Sequence, residues 1–330
     1  MRRIEIYCQQ TFLDTFIEKM KGFSLVENYP PQDYVYNLYR LLLVNEQTMF
    51  YTDLTNEEII SHSNPYIKAL LKKNRIESRT EEFGKAINES TQQVYFKNIG
   101  GCTRFFMLNI TWPLAEKLEE KFGYVVISKD KIEKMNKFFI FHQVPLSKEH
   151  ENRWEFVQQY KHPCNSMVIT DEHIAKNAQE VRNNIVPIIK RIMPSKLAIP
   201  FHLTLIGLSK LTSQQRDEVE TELKNSLNSL GYSVYLTIVN YDYHDRFIFT
   251  NYFQFSTGYG FNMIEEKMGI KQVKSSYKSI FEAFSVALTN SEDTGNIFKS
   301  YETKLKEISQ VFRNQIVSGE VAQKQNRLLA

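Results

Sequence analysis

The residues with the most chemical potential are close together. His244-Asp245-Arg246 leads into the apolar run Phe247–Thr250 and Asn251, and a turn, Gly258-Tyr259-Gly260-Phe261-Asn262, follows. Along an extended chain, residues two apart share a face, so His244 and Arg246 can reach one ligand while Asp245 points the other way. A guanidinium is a planar fork of donors that matches two oxygens of a phosphate. The pair therefore suits a phosphate group.

The spacing resembles the phospholipase D superfamily motif: His-x-Lys, four residues, Asp, six residues, then Gly-Ser-x-x-Asn. His244 falls on the nucleophile, Arg246 on the lysine, Asn251 on the acid, Gly258 on the glycine, Tyr259 on the serine and Asn262 on the asparagine. Every spacing is kept, and three of these six identities differ. The Asp-Arg after the histidine is also similar to the phospholipase-D-like domain at the C-terminus of MIT-domain proteins, which keeps the fold without the complete catalytic set. The resemblance implies that His244 attacks phosphorus, that Arg246 neutralises the phosphoryl oxygens, and that the turn residues Gly258 and Asn262 help bind the phosphate. Asn251, which lacks the family's carboxylate, is the more serious departure. The family combines two motif copies and this chain has one, so an active enzyme of this kind, a metal-independent phosphodiesterase or nuclease, requires a homodimer. Recognition of a phosphodiester without hydrolysis, with nucleic acid as the foremost ligand, is the better-supported expectation. Lys267, Lys271, Lys274 and Lys278 follow at spacings of four, three and four. On a continuous helix they form a basic stripe that can track a phosphate backbone, Lys271 and Lys274 foremost, although Gly269 weakens such a helix.

Other candidates are weaker. His202-Leu203-Thr204 has the His-x-Thr form of two-histidine phosphoesterases but no second copy, so a core-strand histidine explains it better. Asp171-Glu172-His173 follows a predicted strand end, where sheet proteins place functional groups, and it also reads as a helix N-terminus. No HExxH, Walker A loop or GxGxxG is present, and no metal or cofactor is expected. In the first half, Asp14, Asp53, Glu57 and Asp130 lie near predicted strand ends or helix starts, where PIN-like nucleases gather carboxylates. The resemblance to PIN-like or other Rossmann-like domains is loose, because the first strand runs into Gln9-Gln10 rather than an aspartate.

The elements that must position these groups alternate between strand and helix. In residues 1–150 the expected strands are Arg3–Tyr7, Thr48–Thr52, Phe105–Leu108 and Tyr124–Ser128, and the helices include Thr11–Met20, Asp33–Leu43 and Trp112–Phe122. Thr55 and Glu58 have the spacing of a capping box. Residues 151–292 follow with strands Ser166–Thr170, Phe201–Gly207, Ser233–Tyr241 and Phe247–Thr250, a helix near 175–193 bent at Pro187, and a polar helix Ser213–Leu230. The expected fold is α/β: two domains with mostly parallel sheets, the second phospholipase-D-like, and a helical tail over 293–330 available to a protein partner.

Composition sets the wider limits. The chain has 330 residues, enough for two domains, and 41 basic against 38 acidic residues leave a net charge of +3, so any nucleic-acid site must be a local patch. Its 23 Phe and 18 Tyr suit core and strands, and some can act as stacking platforms for bases. Cys8, Cys102 and Cys164 are few, distant and odd in number, as in a reducing compartment. No signal-peptide core and no run long enough to span a bilayer appear, so a cytoplasmic protein is expected. The joining of an α/β domain to a degenerate phosphodiesterase module is similar to accessory or effector proteins of prokaryotic antiviral defence systems.

Overall fold

The computed structural model describes residues 4–20, 34–99, 103–146, 154–172, 176–207, 211–241, 243–274, 277–287, 297–314, 317–319 and 326–329. Two compact units divide the chain: residues 1–140 with 285–302, and residues 141–284 with 303–330.

In the first unit, β1 (Ile4–Cys8) leads to α1 (Gln10–Met20). Next come α2 (Tyr34–Tyr39) with a π turn over Arg40–Val44, β2 (Thr48–Thr52), α3 (Asn56–Ser61), α4 (Pro65–Lys72) and β3 (Ile76–Ser78). Then follow α5 (Thr80–Ile87), α6 (Gln92–Asn98), β4 (Arg104–Leu108), α7 (Trp112–Phe122), β5 (Val125–Ser128) and a 3-10 stretch over Lys129–Phe138. The five strands form a parallel sheet ordered β3-β2-β1-β4-β5. Strand order steps outward from β1 in both directions, so the switch point lies between β1 and β4. Ile4, Ile6, Phe105, Met107, Val125 and Ile127 are fully buried, as expected for parallel strands covered on both faces. The Thr55–Glu58 capping box forms as its spacing predicts: Thr55 Oγ1 accepts from the Glu58 amide at 3.2 Å, and the Thr55 amide donates to Glu58 Oε2 at 2.8 Å.

The second unit opens with β6 (Phe141–Leu146), a 3-10 turn Glu155–Tyr160 and β7 (Ser166–Thr170). A broken helix follows: α8 (Ala178–Glu180), a π turn Val181–Ile185, and α9 (Val186–Ile192) with Pro187 in its first turn. Proline lacks an amide hydrogen, so the expected bend falls at this junction. Next are β8 (Phe201–Ile206), α10 (Ser213–Ser229), β9 (Val234–Val239), β10 (Phe247–Thr250), β11 (Phe253–Thr257), β12 (Ile264–Lys267), β13 (Ile270–Val273) and β14 (Ser279–Ser285). The chain closes with α11 (Ile297–Asn314), which runs past the 302/303 division, and β15 (Val317–Gly319). The α/β expectation holds, with a mixed second sheet ordered β15-β9-β8-β7-β10-β11-β14-β6. Its centre, β9-β8-β7, is parallel; β10 runs antiparallel to β7, β11 to β10, β14 to β6, and β15 to β9.

Three expectations are corrected here. The basic helix over Lys267–Lys278 is instead a β12–β13 hairpin that pairs Glu266 with Lys271 and Lys267 with Ile270. Met268 and Gly269 both take positive φ (50° and 77°), the backbone of a two-residue hairpin turn. Strand alternation then puts Lys267 and Lys271 on opposite faces, so no single stripe exists. The 293–330 segment is not a separate helical tail either. After α11 it adds β15 to the sheet edge, and Asn326–Leu329 is buried: Asn326 Nδ2 donates to the Met167 carbonyl at 2.9 Å and Thr204 Oγ1 at 3.0 Å, and Arg327 donates to the Pro200 carbonyl at 2.8 Å. The boundary expected at 150/151 lies instead at 140/141, because β6 pairs with β14 of the second sheet. Among the described residues no helix is long and apolar enough to cross a membrane. Cys8 and Cys164 are buried free thiols, and Cys102, His173 and residues 147–153 lie outside the described residues.

Candidate functional site

The second unit's parallel strands end side by side at β7 and β8, and the chain leaving each is fixed by close contact. Asp171, just past β7, is fully buried and donates its amide to the Ile206 carbonyl at 3.1 Å. Gly207 exits β8 with φ 121°, and a Cβ there would sit 2.7 Å from the Asp171 carbonyl oxygen, so only glycine lets the two backbones pass.

The Asp171 carboxylate anchors the turn after β11. Its Oδ2 accepts from the Phe261 amide at 2.7 Å, and a Cβ on Gly260 would lie 2.6 Å from that oxygen and 3.2 Å from Arg246 Cδ. Gly260, at φ 86°, is therefore wedged between the acid and the arginine. Its carbonyl accepts from Thr257 Oγ1 at 3.0 Å and from the Tyr277 hydroxyl at 2.5 Å. Burial, joined by the Asp171 charge, pushes the Tyr277 phenol up to about 12 and keeps it a neutral donor, against the opposing pull of Thr257 and Arg246.

Arg246 and His244 approach this frame from the segment before β10. Arg246 Nη1 donates to the Gly258 carbonyl at 3.0 Å, and its buried Nε lies 4.0 Å from Asp171 Oδ1. His244 is 81% exposed, with Nδ1 3.9 Å from Glu172 Oε2. β10 begins only at Phe247, so these residues precede the strand rather than lie in it, yet the extended alternation persists. Asp245 and Phe247 meet Lys304 of α11, whose Nζ is 3.9 Å from Asp245 Oδ2 and 3.6 Å from the centre of the Phe247 ring. His244 and Arg246 meet the Asp171-Glu172 pair on the other side.

The motif's remaining residues disperse. Asn251 is fully buried beyond the far end of β10, where Oδ1 accepts from the amides of Asn165 at 3.0 Å and Ser166 at 3.2 Å. Because β10 runs antiparallel to β7, Asn251 lies beside the start of β7 and Arg246 beside its end, about 16 Å apart along the strand. Asn251 thus ties two strands together and cannot share a phosphate with His244. Asn262 is also buried, its Oδ1 accepting from Asn184 Nδ2 at 3.1 Å, while Asn184 Oδ1 takes the Ile264 amide and the Trp154 indole N–H. Lys274 stays near the acids: its Nζ is 4.0 Å from Glu180 Oε1, and burial lowers its pKa against the pull of Glu180 and Asp171. Lys271 belongs to the hairpin, opposite Glu266.

The assembled site therefore contains His244, Arg246, the Gly258–Phe261 turn and Lys274, together with Asp171, Glu172 and Tyr277. Charge is nearly balanced: Asp171, Glu172 and Glu180 face Arg246 and Lys274, with the imidazole as the most open polar group. The carboxylates outnumber these two cations by one, and Arg246 fixes the turn through the Gly258 carbonyl. Tyr277 gives no local sequence signal, whereas Asp171-Glu172 is signalled by its place after an apolar strand. His202 is buried in β8 with neither ring nitrogen hydrogen-bonded, the core-strand position its context suggests. Among the described residues no group of three or more His, Cys, Asp or Glu side chains is gathered to hold a metal ion.

No family model matches the chain, and no curated protein matches it. Among solved structures, the crystal structure of Marinitoga piezophila Argonaute in complex with 5′ OH guide RNA is similar at 10% identity, over 94% of this chain and 49% of that one. This chain thus spans about half that Argonaute's length, and the TM-score of 0.19 establishes no shared fold.

Proposed function

We propose that this chain is a phosphodiester-recognition protein whose ligand is nucleic acid, bound where β7 and β8 end, with hydrolysis lost or vestigial. The observation that carries this reading is His244: an 81% exposed imidazole two residues from Arg246, which is bonded to the turn that the buried Asp171 carboxylate anchors. A parallel sheet binds ligands at the carboxyl ends of its strands, which is where this pair stands. The phospholipase-D-like spacing supports the phosphate assignment. The dispersal of Asn251 and Asn262 and the partial commitment of Arg246 to Gly258 support binding over turnover.

A second reading, cleavage through His244, is favoured by one contact. Glu172 lies 3.9 Å from Nδ1 and can orient the ring so that Nε2 faces a phosphorus atom. In that case a second copy of the chain supplies the partner histidine, which gives a proton to the leaving oxygen as the His244–phosphorus bond forms and then takes one from the water that cleaves that bond. A role as an accessory or effector of prokaryotic antiviral defence belongs to the proposal and rests on the architecture alone.

Labelled single- and double-stranded DNA and RNA, tested for binding and cleavage in EDTA and in Mg²⁺ or Mn²⁺, separate these readings. The expected result is binding without cleavage that weakens in His244→Ala. Cleavage in EDTA that disappears in His244→Ala establishes the hydrolytic reading instead. Absence of any binding overturns the proposal.

A further inference from the structure

Tyr259 is 58% exposed, an unusual setting for a large aromatic on a turn whose other parts are buried or hydrogen-bonded. Its amide donates to both Thr257 Oγ1 and Ser279 Oγ at 3.2 Å. The carbonyl before it, on Gly258, accepts from Arg246, and the carbonyl after it, on Gly260, accepts from Tyr277 and Thr257. The ring packs edge-on against buried Tyr277, centroids 5.7 Å apart at 73°. One edge is thus held by the protein while much of the ring is open to solvent. Gly258, before Tyr259, accepts from the Arg246 guanidinium, and Gly260, after it, leaves room beside the Arg246 side chain that a Cβ would fill, so Tyr259 is carried on the turn that Arg246 holds.

A rigid exposed ring beside a phosphate-binding cation has the geometry of a stacking platform. Every nucleobase offers a π face, and stacking on an aromatic side chain tolerates any sequence. We infer that Tyr259 stacks a base of the nucleotide whose phosphate lies at His244 and Arg246, and that the ligand is therefore single-stranded nucleic acid. In a duplex, neighbouring pairs already cover both faces of each base. This inference rests on the phosphodiester reading above and adds the substrate class and the residue that selects it. The family motif has serine at this position, which cannot stack, so the tyrosine marks a changed role rather than a retained one.

The test compares the full chain with its Tyr259→Ala and Tyr259→Phe variants. The probes are a short labelled single strand, the same strand made abasic, and its duplex, with affinity read by fluorescence anisotropy. Wild type is expected to prefer the single strand over the abasic strand and the duplex by about tenfold, within the range of one base–aromatic stack. Tyr259→Ala should remove that preference while keeping abasic binding, and Tyr259→Phe should keep both. An unchanged preference in Tyr259→Ala, equal wild-type binding of normal and abasic strands, or tighter duplex binding overturns the stacking role and leaves the phosphate site standing. Failure of wild type to bind any of the three probes overturns both readings together.

Discussion

Each unit carries parallel strands that end in polar residues, the whole sheet in the first and the β9-β8-β7 centre of a mixed sheet in the second, and the two use those residues differently. In the first unit, Asp53 Oδ1 accepts from the Gln10 amide at 2.7 Å and so caps α1 from the neighbouring strand, while Gln9 Oε1 accepts from the Asn109 amide at 2.7 Å. A carboxylate at a helix N-terminus also meets the positive end of its dipole. These side chains complete the backbone, and that structural use accounts for Asp53, one of the four acids that a PIN-like reading would assign to a metal. In the second unit Asp171 likewise accepts a backbone amide, but it also borders Arg246, and Glu172 borders an exposed histidine. The lesson is that a strand-end acid becomes a site component only when the chain brings a second, solvent-facing group beside it.

The largest break in this comparison is Gly260→Ala. A methyl group would press on the Asp171 carboxylate at 2.6 Å and also demand φ 86° from an L-residue. Left-handed backbone and overpacking together cost about 2–4 kcal/mol. The urea midpoint should fall accordingly, and Arg246 should lose its fixed partner. A midpoint unchanged from wild type would mean that the turn and the acid are not in close contact.

Acid sensitivity distinguishes the units next. The first has one histidine, His62, and it is only partly buried. The second buries His162, bonded through both ring nitrogens to the Tyr160 carbonyl and Thr250 Oγ1, and His202, bonded through neither. Burial, then the charge of Arg327, lowers the His202 pKa to about 3. Below about 6.5 the unfolded chain takes up a proton that the folded chain refuses. This contribution to stability is therefore complete above that pH and is lost as pH falls toward 3, by at most about 1.4 kcal/mol per pH unit. His202→Leu should flatten the fall in urea midpoint between neutral and acid pH; parallel wild-type and variant curves would locate the acid sensitivity elsewhere.

Local spacing carried most of the fold. Thr48–Thr52, Trp112–Phe122, Ser166–Thr170 and Phe247–Thr250 form at the bounds their patterns indicate. The hairpin over Lys267–Lys271 was not legible, because lysines four and three apart also fit a helix and only the Met268-Gly269 turn decides against it. The site was half legible. His244 and Arg246 are adjacent in sequence and share a face, but their meeting with Asp171 depends on β10 pairing with β7, which no local spacing encodes. Asn251 misled for the same reason: correct spacing along the chain put it at the wrong end of the strand.

A smaller effect tests the structural use of polar groups in the first unit. Thr55→Ala removes the side-chain acceptor of the Glu58 amide and should cost about 1 kcal/mol, the ordinary value of an N-cap. The downward shift of the Glu58 pKa, whose first cause is its bond from the Thr55 amide followed by the Thr55 side chain, should diminish and can be followed by NMR titration. An unaltered Glu58 titration would mean that the capping box does not persist in solution.

The smallest expected effect has the opposite sign and sharpens the contrast between glycines. Gly84 lies inside α5 on its exposed side, and a Cβ there would meet nothing within 4 Å. Glycine at such a position only adds freedom to the unfolded chain, so Gly84→Ala should raise stability by about 0.5–1 kcal/mol. The same chemical change thus stabilises where glycine serves no contact and destabilises where Asp171 and Arg246 require its missing side chain. Urea midpoints of the two single variants measure this directly. If Gly84→Ala also lost stability, the exposed side of α5 would have to be covered, and the cost at Gly260 could no longer be assigned to its site contacts alone.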